Sequence, residues 1–237
     1  MGVVRLAIGD AVITFLWVIV AASLAPLGTI ITSYFQVQPP LDLLVMTALI
    51  FLLVVVFNVV GDLLGDASFN PTANASFYAA GLGNDSLFSM AIRFPAQAIG
   101  AVGGVLAMAE YAPAKYKHML AGPAVQVDLQ TAAIAEGVLT FVISLTVFFI
   151  IFKGPKSSFL QTLLISMATV GVIVAGSSYT GPSLNPVNAY GWAYIRKKHN
   201  TWEQFYVYWL PPLVGSILAA WVFRLFFSPS AQKVKKA

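Results

Sequence analysis

Two short polar motifs stand out in an otherwise apolar chain: Asn70-Pro71-Thr72, and 115 residues later Asn185-Pro186-Val187. Neither contains a nucleophile–base pair. An Asn side chain offers one carbonyl oxygen and two N–H donors, so these motifs suit hydrogen bonding to a neutral group rather than bond making. Each Asn is followed by Pro. Asn is a preferred N-cap, and Pro suits the first helical position, where its missing N–H has no intrahelical partner. Each motif therefore reads as a helix start. Two carboxylates occupy a second matched pair of sites: Asp10, with Thr14-Phe15 four and five residues on, and Glu136, with Thr140-Phe141 at the same spacing. The chain has no cysteine and only His118 and His199 as histidines. Disulfide, thiolate-metal and Cys-nucleophile chemistry are thereby excluded. No nucleophile–base pair or metal-ligand cluster is legible, so the reading is of a protein that is not an enzyme and uses no cofactor.

The elements that must position these residues follow from composition. Of 237 residues, 59% are hydrophobic and 9% are charged, and the mean hydropathy is +0.83. A soluble surface needs far more charge. Stretches of spanning length lie at roughly 6–26, 41–61, 88–109, 130–152, 159–179 and 205–227. In lipid each must satisfy its own backbone, which makes them helices. The N-terminus carries Arg5 and then an apolar run of spanning length, so span one is expected to serve as its own insertion signal. An even number of spans puts both termini on one side. With the N-terminus cytosolic, that face takes Arg5, Arg93, Lys153, Lys156, Arg224, Lys233, Lys235 and Lys236, against Lys115, Lys117, Arg196, Lys197 and Lys198 opposite. Eight against five is the bias that the positive-inside rule expects of that orientation. The net charge of +4 is spread over loops and tail with no basic stripe interleaved with aromatics, which argues for membrane lipid as its partner and against nucleic acid.

The chain is written twice. The carboxylate–Thr-Phe pattern and the Asn-Pro motif each recur, and the next span stays in step: Phe94 and Trp209 lie 24 residues after their Asn, Gly100 and Gly215 lie 30 after. Repeat one covers about 1–109, a linking loop 110–129, repeat two about 130–227, and a basic tail 228–237. Three spans per half is an odd number, so the halves are inverted with respect to the membrane. Each motif opens a segment too short to span, 70–81 and 185–194, which reads as a re-entrant half-helix. Two half-helices meeting by their N-termini bring together the positive ends of two dipoles, each about half an elementary charge, and oppose a cation there. The Asn N–H donors can orient a water by its oxygen and interrupt proton hopping. The non-helical backbone before each motif, 62–69 and 179–184, is tolerated at membrane depth only when buried in protein or lining a wet cavity. Asp10 and Glu136 are expected to accept from N–H groups of these loops, since an ionisable group within a span needs an interior partner. The competing reading of Asp10 is a boundary residue near a span end. Gly100, Gly104 and Gly215 read as close-packing positions.

These residues resemble the aquaporin (major intrinsic protein) family: the paired Asn-Pro motifs, the carboxylates with Thr-Phe in spans one and four, and "YTGPSLNP" before the second motif. The variant first motif "NPT", the segments "NPVNAYGWAY" and "HNTWEQFYVYW", the short N-terminus and the Lys-rich tail are similar to the plant small basic intrinsic proteins. The resemblance covers essentially the whole chain. It implies an all-α membrane fold of six transmembrane helices plus two re-entrant half-helices in an inverted repeat, an hourglass pore, and a homotetramer with four pores.

The resemblance also implies a second constriction of four residues. Its Arg, directly after the second motif, is replaced by Asn188, and family spacing gives Pro182, Ile173 and either Ile50 or Leu49 as the others. Such a filter is largely apolar and lacks a fixed cation, which removes donors and part of the cation barrier. Thr72 and Val187 stand where the family usually has Ala. Two readings remain there: repacking against Pro186 and Pro71, or altered conduction. Lys233 and Lys235, five and three places from the C-terminus, resemble a dilysine endoplasmic reticulum retrieval signal; a generic basic tail binding anionic lipid is the alternative. The functions implied are a passive channel for water and small neutral solutes such as hydrogen peroxide, a poorly conducting structural protein of the endoplasmic reticulum membrane, or a secondary transporter. The last would want an ionisable coupling residue facing the pore, and only Asp10 and Glu136 offer one.

Overall fold

The computed structural model describes residues 2–227. The described residues form α1 (Val3–Phe35), α2 (Asp42–Leu63), α3 (Pro71–Ala79), α4 (Leu87–Tyr111), α5 (Leu129–Lys153), α6 (Ser158–Gly176), α7 (Pro186–Ile195), α8 (Trp202–Tyr208) and α9 (Leu210–Phe227), with a 3₁₀ turn at Ala114–Met119 inside the linking loop. Among the described residues, six spans are long and apolar enough to cross a membrane: α1, α2, α4, α5, α6, and α8 with α9 together as Trp202–Phe227. The two half-helices α3 and α7 complete an all-α, inverted-repeat bundle.

The boundaries differ from the sequence expectation in three instructive places. Helix α1 runs to Phe35 with Pro26 inside it, well past residue 26. Helix α6 stops at Gly176, whose missing Cβ leaves room for Leu139 and Pro182, and the chain turns there into the loop before the second motif. The last span breaks at Trp209, between α8 and α9, where Pro211 and Pro212 remove two successive N–H donors. Local chemistry sets several starts: Ser86 and Ser89 form a reciprocal capping box on α4, and Asp128, Ser157 and Thr201 cap α5, α6 and α8.

Lipid tails are as apolar as Leu, so close van der Waals packing has to hold such helices together. The two repeats do this at corresponding positions. A Cβ on Gly100 would collide with the Ala11 carbonyl, joining α4 to α1, and a Cβ on Gly215 would collide with the Gly137 carbonyl, joining α9 to α5. Gly104 packs in the same way on Phe15 and Val18. Around these crossings lie two aromatic and aliphatic clusters. One gathers Val18, Ala101, Val105, Val187 and Trp192; the other packs Ala80, Phe148, Ala220 and Phe223. Each half-helix is thereby wedged against full spans, α7 on α4 and α3 on α9.

Candidate functional site

The two motifs build the same local unit. Asn70 caps α3, its Oδ1 accepting from the Thr72 backbone N–H at 3.0 Å, with Pro71 in the first turn. Asn185 caps α7, its Oδ1 accepting from Val187 N–H at 3.2 Å and Asn188 N–H at 3.4 Å, with Pro186 following. The half-helices meet by these caps. Asn70 Nδ2 donates to the Leu184 carbonyl at 3.0 Å, and Asn185 Nδ2 donates to the Phe69 carbonyl at 2.9 Å. Each Asn thus clasps the backbone one residue before the other motif. An amide nitrogen carries two hydrogens, so after the clasp each Asn keeps one N–H for a third party.

The loops before the motifs are held by the carboxylates, but not alike. Asp10 is fully buried; its Oδ1 accepts from Ser68 N–H at 2.8 Å. Both its oxygens also face Arg93, at 2.7 Å from Nε and 2.8 Å from Nη2, and Gln97 Nε2 donates at 2.9 Å. Arg93 in turn donates to the Asp66 carbonyl and to Asp85, at 2.9 Å to Oδ1. Asn74 of α3 closes the network, donating to Asp85 and accepting from Gln97. Burial pushes the Asp85 carboxyl up, but hydrogen bonds from Asn74, Arg93 and Ser89 outweigh it and hold the group below the usual carboxylate range. Glu136, also fully buried, meets neutral donors: Thr180 Oγ1 and Ser183 N–H, both at 2.9 Å, and Leu184 N–H at 3.3 Å.

Arg93 belongs to this site and not to a surface loop. It is 5% exposed, so counting it among the loop cations overstated the charge bias, which stands at seven against five without it. Sequence reasoning missed Arg93, Asp85, Gln97 and Asn74. The available signal was Arg93 itself, a cation inside a span and one helical turn before Gln97, which at that depth needs a carboxylate partner.

The third motif positions face protein. Thr72 is 4% exposed, and its Oγ1 lies 2.8 Å from Asn70 Oδ1 and 3.2 Å from the Leu184 carbonyl. Val187 is 0% exposed and packs with Val18, Ala101, Val105 and Trp192. Of the residues expected at a second constriction, Ile50 and Pro182 are buried, Leu49 is half-buried, Ile173 is exposed, and Asn188 is half-buried with its Nδ2 3.4 Å from Ser183 Oγ. No hydrogen bond joins any of them to another among the described residues. Lys233 and Lys235 lie outside the described residues.

A polar cavity lies beside the first motif, on the side of the Asp10–Arg93 network. A cavity of about 710 Å³ is lined by Ser68, Ala73 and Phe77 around the motif, with Asp62, Asp66, Asp85 and Arg93 among its walls. On the other side, the linking loop is tied to the second loop and to α7. Ala124 and Gln126 N–H donate to the Thr180 and Tyr179 carbonyls, and Arg196 donates to the Pro123 and Gly122 carbonyls. A Cβ at Gly122 would collide with the Trp192 indole.

The family model described as "Major intrinsic protein" matches residues 1–223. The chain belongs to this family. It is 56% identical over 235 residues to maize (Zea mays) "Aquaporin SIP1-1", with 98% of this chain and 96% of that protein covered. It is 49% identical over 238 residues to the Arabidopsis thaliana protein of the same name, covering 100% and 98%. These relatives are plant small basic intrinsic proteins, the group that the motifs resemble. Among solved structures, an aquaglyceroporin from Plasmodium falciparum superposes with a TM-score of 0.71 at 19% identity, over 94% of this chain and 96% of that one, which supports the fold. As a member of the family, the chain is a multi-pass transmembrane channel protein, and the family is one of channels rather than enzymes.

Proposed function

We propose that the chain is a passive channel for water and for small neutral solutes such as hydrogen peroxide, working in the endoplasmic reticulum membrane as a homotetramer with both termini cytosolic. The observation that carries this reading is the reciprocal clasp. With both cap oxygens turned to backbone N–H groups and one N–H of each amide spent across the centre, each Asn retains one donor and its acceptor is engaged. A passing water oxygen accepts from that donor, while the positive ends of α3 and α7 oppose cations. Asn70, Pro71, Thr72, Asn185, Pro186 and Val187 form the central constriction on this reading. Ile50, Ile173, Pro182 and Asn188 form the second, with Asp10 and Glu136 anchoring the loops. Thr72 and Val187 turn into protein, which favours packing over obstruction as their part.

A passive route also fits the carboxylates. Asp10 accepts four hydrogen bonds from loop and helix donors and Glu136 accepts three from its loop, so both are engaged in holding backbone and side chains rather than open to the pore as a coupling group of a transporter would be. In proteoliposomes, stopped-flow shrinkage should be faster than in empty liposomes, with a lower activation energy and no dependence on an ion gradient. Mercurials should not block it, since the chain has no cysteine. Flux equal to empty liposomes would overturn the channel reading in favour of a structural membrane protein. Localisation rests on Lys233 and Lys235 as a retrieval signal; replacing both by Ala should release a tagged protein to later compartments, and an unmoved protein would refute the signal.

A further inference from the structure

The residues immediately before the two motifs are held in different ways. Phe69 is fixed by its side chain, its ring stacked on Trp17 at 3.9 Å between centroids and edge-on to Phe57. Leu184, its counterpart, has no ring to stack and adopts a left-handed backbone with φ +53°. That conformation is disfavoured for a residue with a branched side chain, so the surroundings must impose it. The Leu184 peptide groups are gripped from both sides. Glu136 Oε2 accepts from its N–H, and its carbonyl takes Asn70 Nδ2 at 3.0 Å with Thr72 Oγ1 at 3.2 Å.

The Thr72 hydroxyl has one proton and two acceptors in reach, Asn70 Oδ1 at 2.8 Å and the Leu184 carbonyl at 3.2 Å. Either way it locks the first motif to this carbonyl. Donating to Oδ1, it fixes the amide whose nitrogen holds Leu184; donating to Leu184, it holds that carbonyl directly. The second motif has no equivalent, because the hydroxyl's place is taken by Val187, whose methyls lie in the apolar cluster. We propose that Thr72 is a positioning residue for the opposite motif. Its hydroxyl holds the left-handed turn at Leu184 and thereby sets the direction in which Asn185 points its free N–H. This rests on the reading of the two Asn residues as the constriction.

The test uses the full-length protein in lipid bilayers, with the side-chain amide of Asn185 followed by ¹⁵N NMR and by its hydrogen–deuterium exchange. Thr72→Val keeps the shape and removes the hydroxyl. It should shift the Asn185 amide resonance and speed its exchange about tenfold, the equivalent of one neutral hydrogen bond. Thr72→Ser should restore the wild-type resonance. Leu184→Gly, which adopts the left-handed turn without a Cβ penalty, should suppress the effect of Thr72→Val in the double variant. A Thr72→Val protein whose Asn185 resonance and exchange match wild type would overturn the proposal, as would a Leu184→Gly background that gives no suppression. If Thr72→Val does not fold, recovery of folding in the Leu184→Gly background supports the assignment, and continued failure overturns it. Lack of water flux in the wild type would defeat the channel reading and leave the Asn185 measurement standing; an unmoved Asn185 signal with flux intact would defeat this proposal alone.

Discussion

Asp10 and Glu136 occupy matched positions in the two repeats and do the same task, holding the backbone before a half-helix, yet their surroundings differ in charge. Asp10 faces a guanidinium, and the guanidinium faces a second carboxylate on the far side. Glu136 faces two backbone N–H groups and a hydroxyl. The first half therefore contains a buried ion network whose members depend on one another. In the second half, dipoles alone compensate the carboxylate. A buried charge needs compensation, and nearby N–H dipoles can serve as well as an opposite charge. What differs is the consequence of removing it, since loss of Asp10 takes a carboxylate from a buried cation, whereas loss of Glu136 strands only hydrogen-bond donors.

That difference can be broken by like-for-like neutralisation. Asp10→Asn should be the most damaging change, costing about 3 kcal/mol, because buried Arg93 keeps only Asp85 as a carboxylate partner and the Ser68 and Gln97 donors lose a charged acceptor. Thermal unfolding in detergent measures it, and combining Asp10→Asn with Arg93→Leu and Asp85→Asn, which removes every charge of the network, should recover part of the loss. A triple variant no more stable than Asp10→Asn alone would show that the buried charges are not the source. Glu136→Gln should cost less, about 1–3 kcal/mol, because the amide keeps one acceptor and strands no cation. Equal costs for Asp10→Asn and Glu136→Gln would remove the distinction between the halves.

The smallest effect is expected at Asp85, at the partly exposed rim of the network. Asp85→Asn should cost about 1 kcal/mol at neutral pH. The sign follows from its depressed pKa: the unfolded state takes up the proton first as pH falls, so the ionised partner stabilises the fold at neutral pH. That contribution disappears as the pH drops through the folded pKa. Wild type and Asp85→Asn should therefore converge in stability toward acid. A gap independent of pH would assign the loss to packing.

Much of this was legible in the sequence because it depends on local chemistry repeated at fixed spacing. Asn followed by Pro dictates a helix start, a short apolar run cannot span, and the doubling of both the motif and the carboxylate–Thr-Phe pattern exposes the inverted repeat. The carboxylates could be singled out because charge inside a span demands a partner. Arg93 obeys the same rule, but its spacing names no specific partner. Burial was the least legible property. Leu52 is 57% exposed and its neighbour Leu53 is 5% exposed, and in a helix apolar on every side nothing in the pattern distinguishes lipid-facing from interior positions.

The sequence by itself determined the class, the six spans, the two half-helix starts and the pair of buried carboxylates, all consequences of hydropathy, capping and repetition along the chain. Only the tertiary structure decided that Asn70 reaches Leu184 and Asn185 reaches Phe69, that Arg93 bridges Asp10 and Asp85, and that Thr72 and Val187 turn into protein. The physical reason is range. Capping and hydropathy act over a few residues, whereas these contacts join groups up to 116 positions apart, and which donor meets which acceptor is settled when packed helices bring them within hydrogen-bond distance.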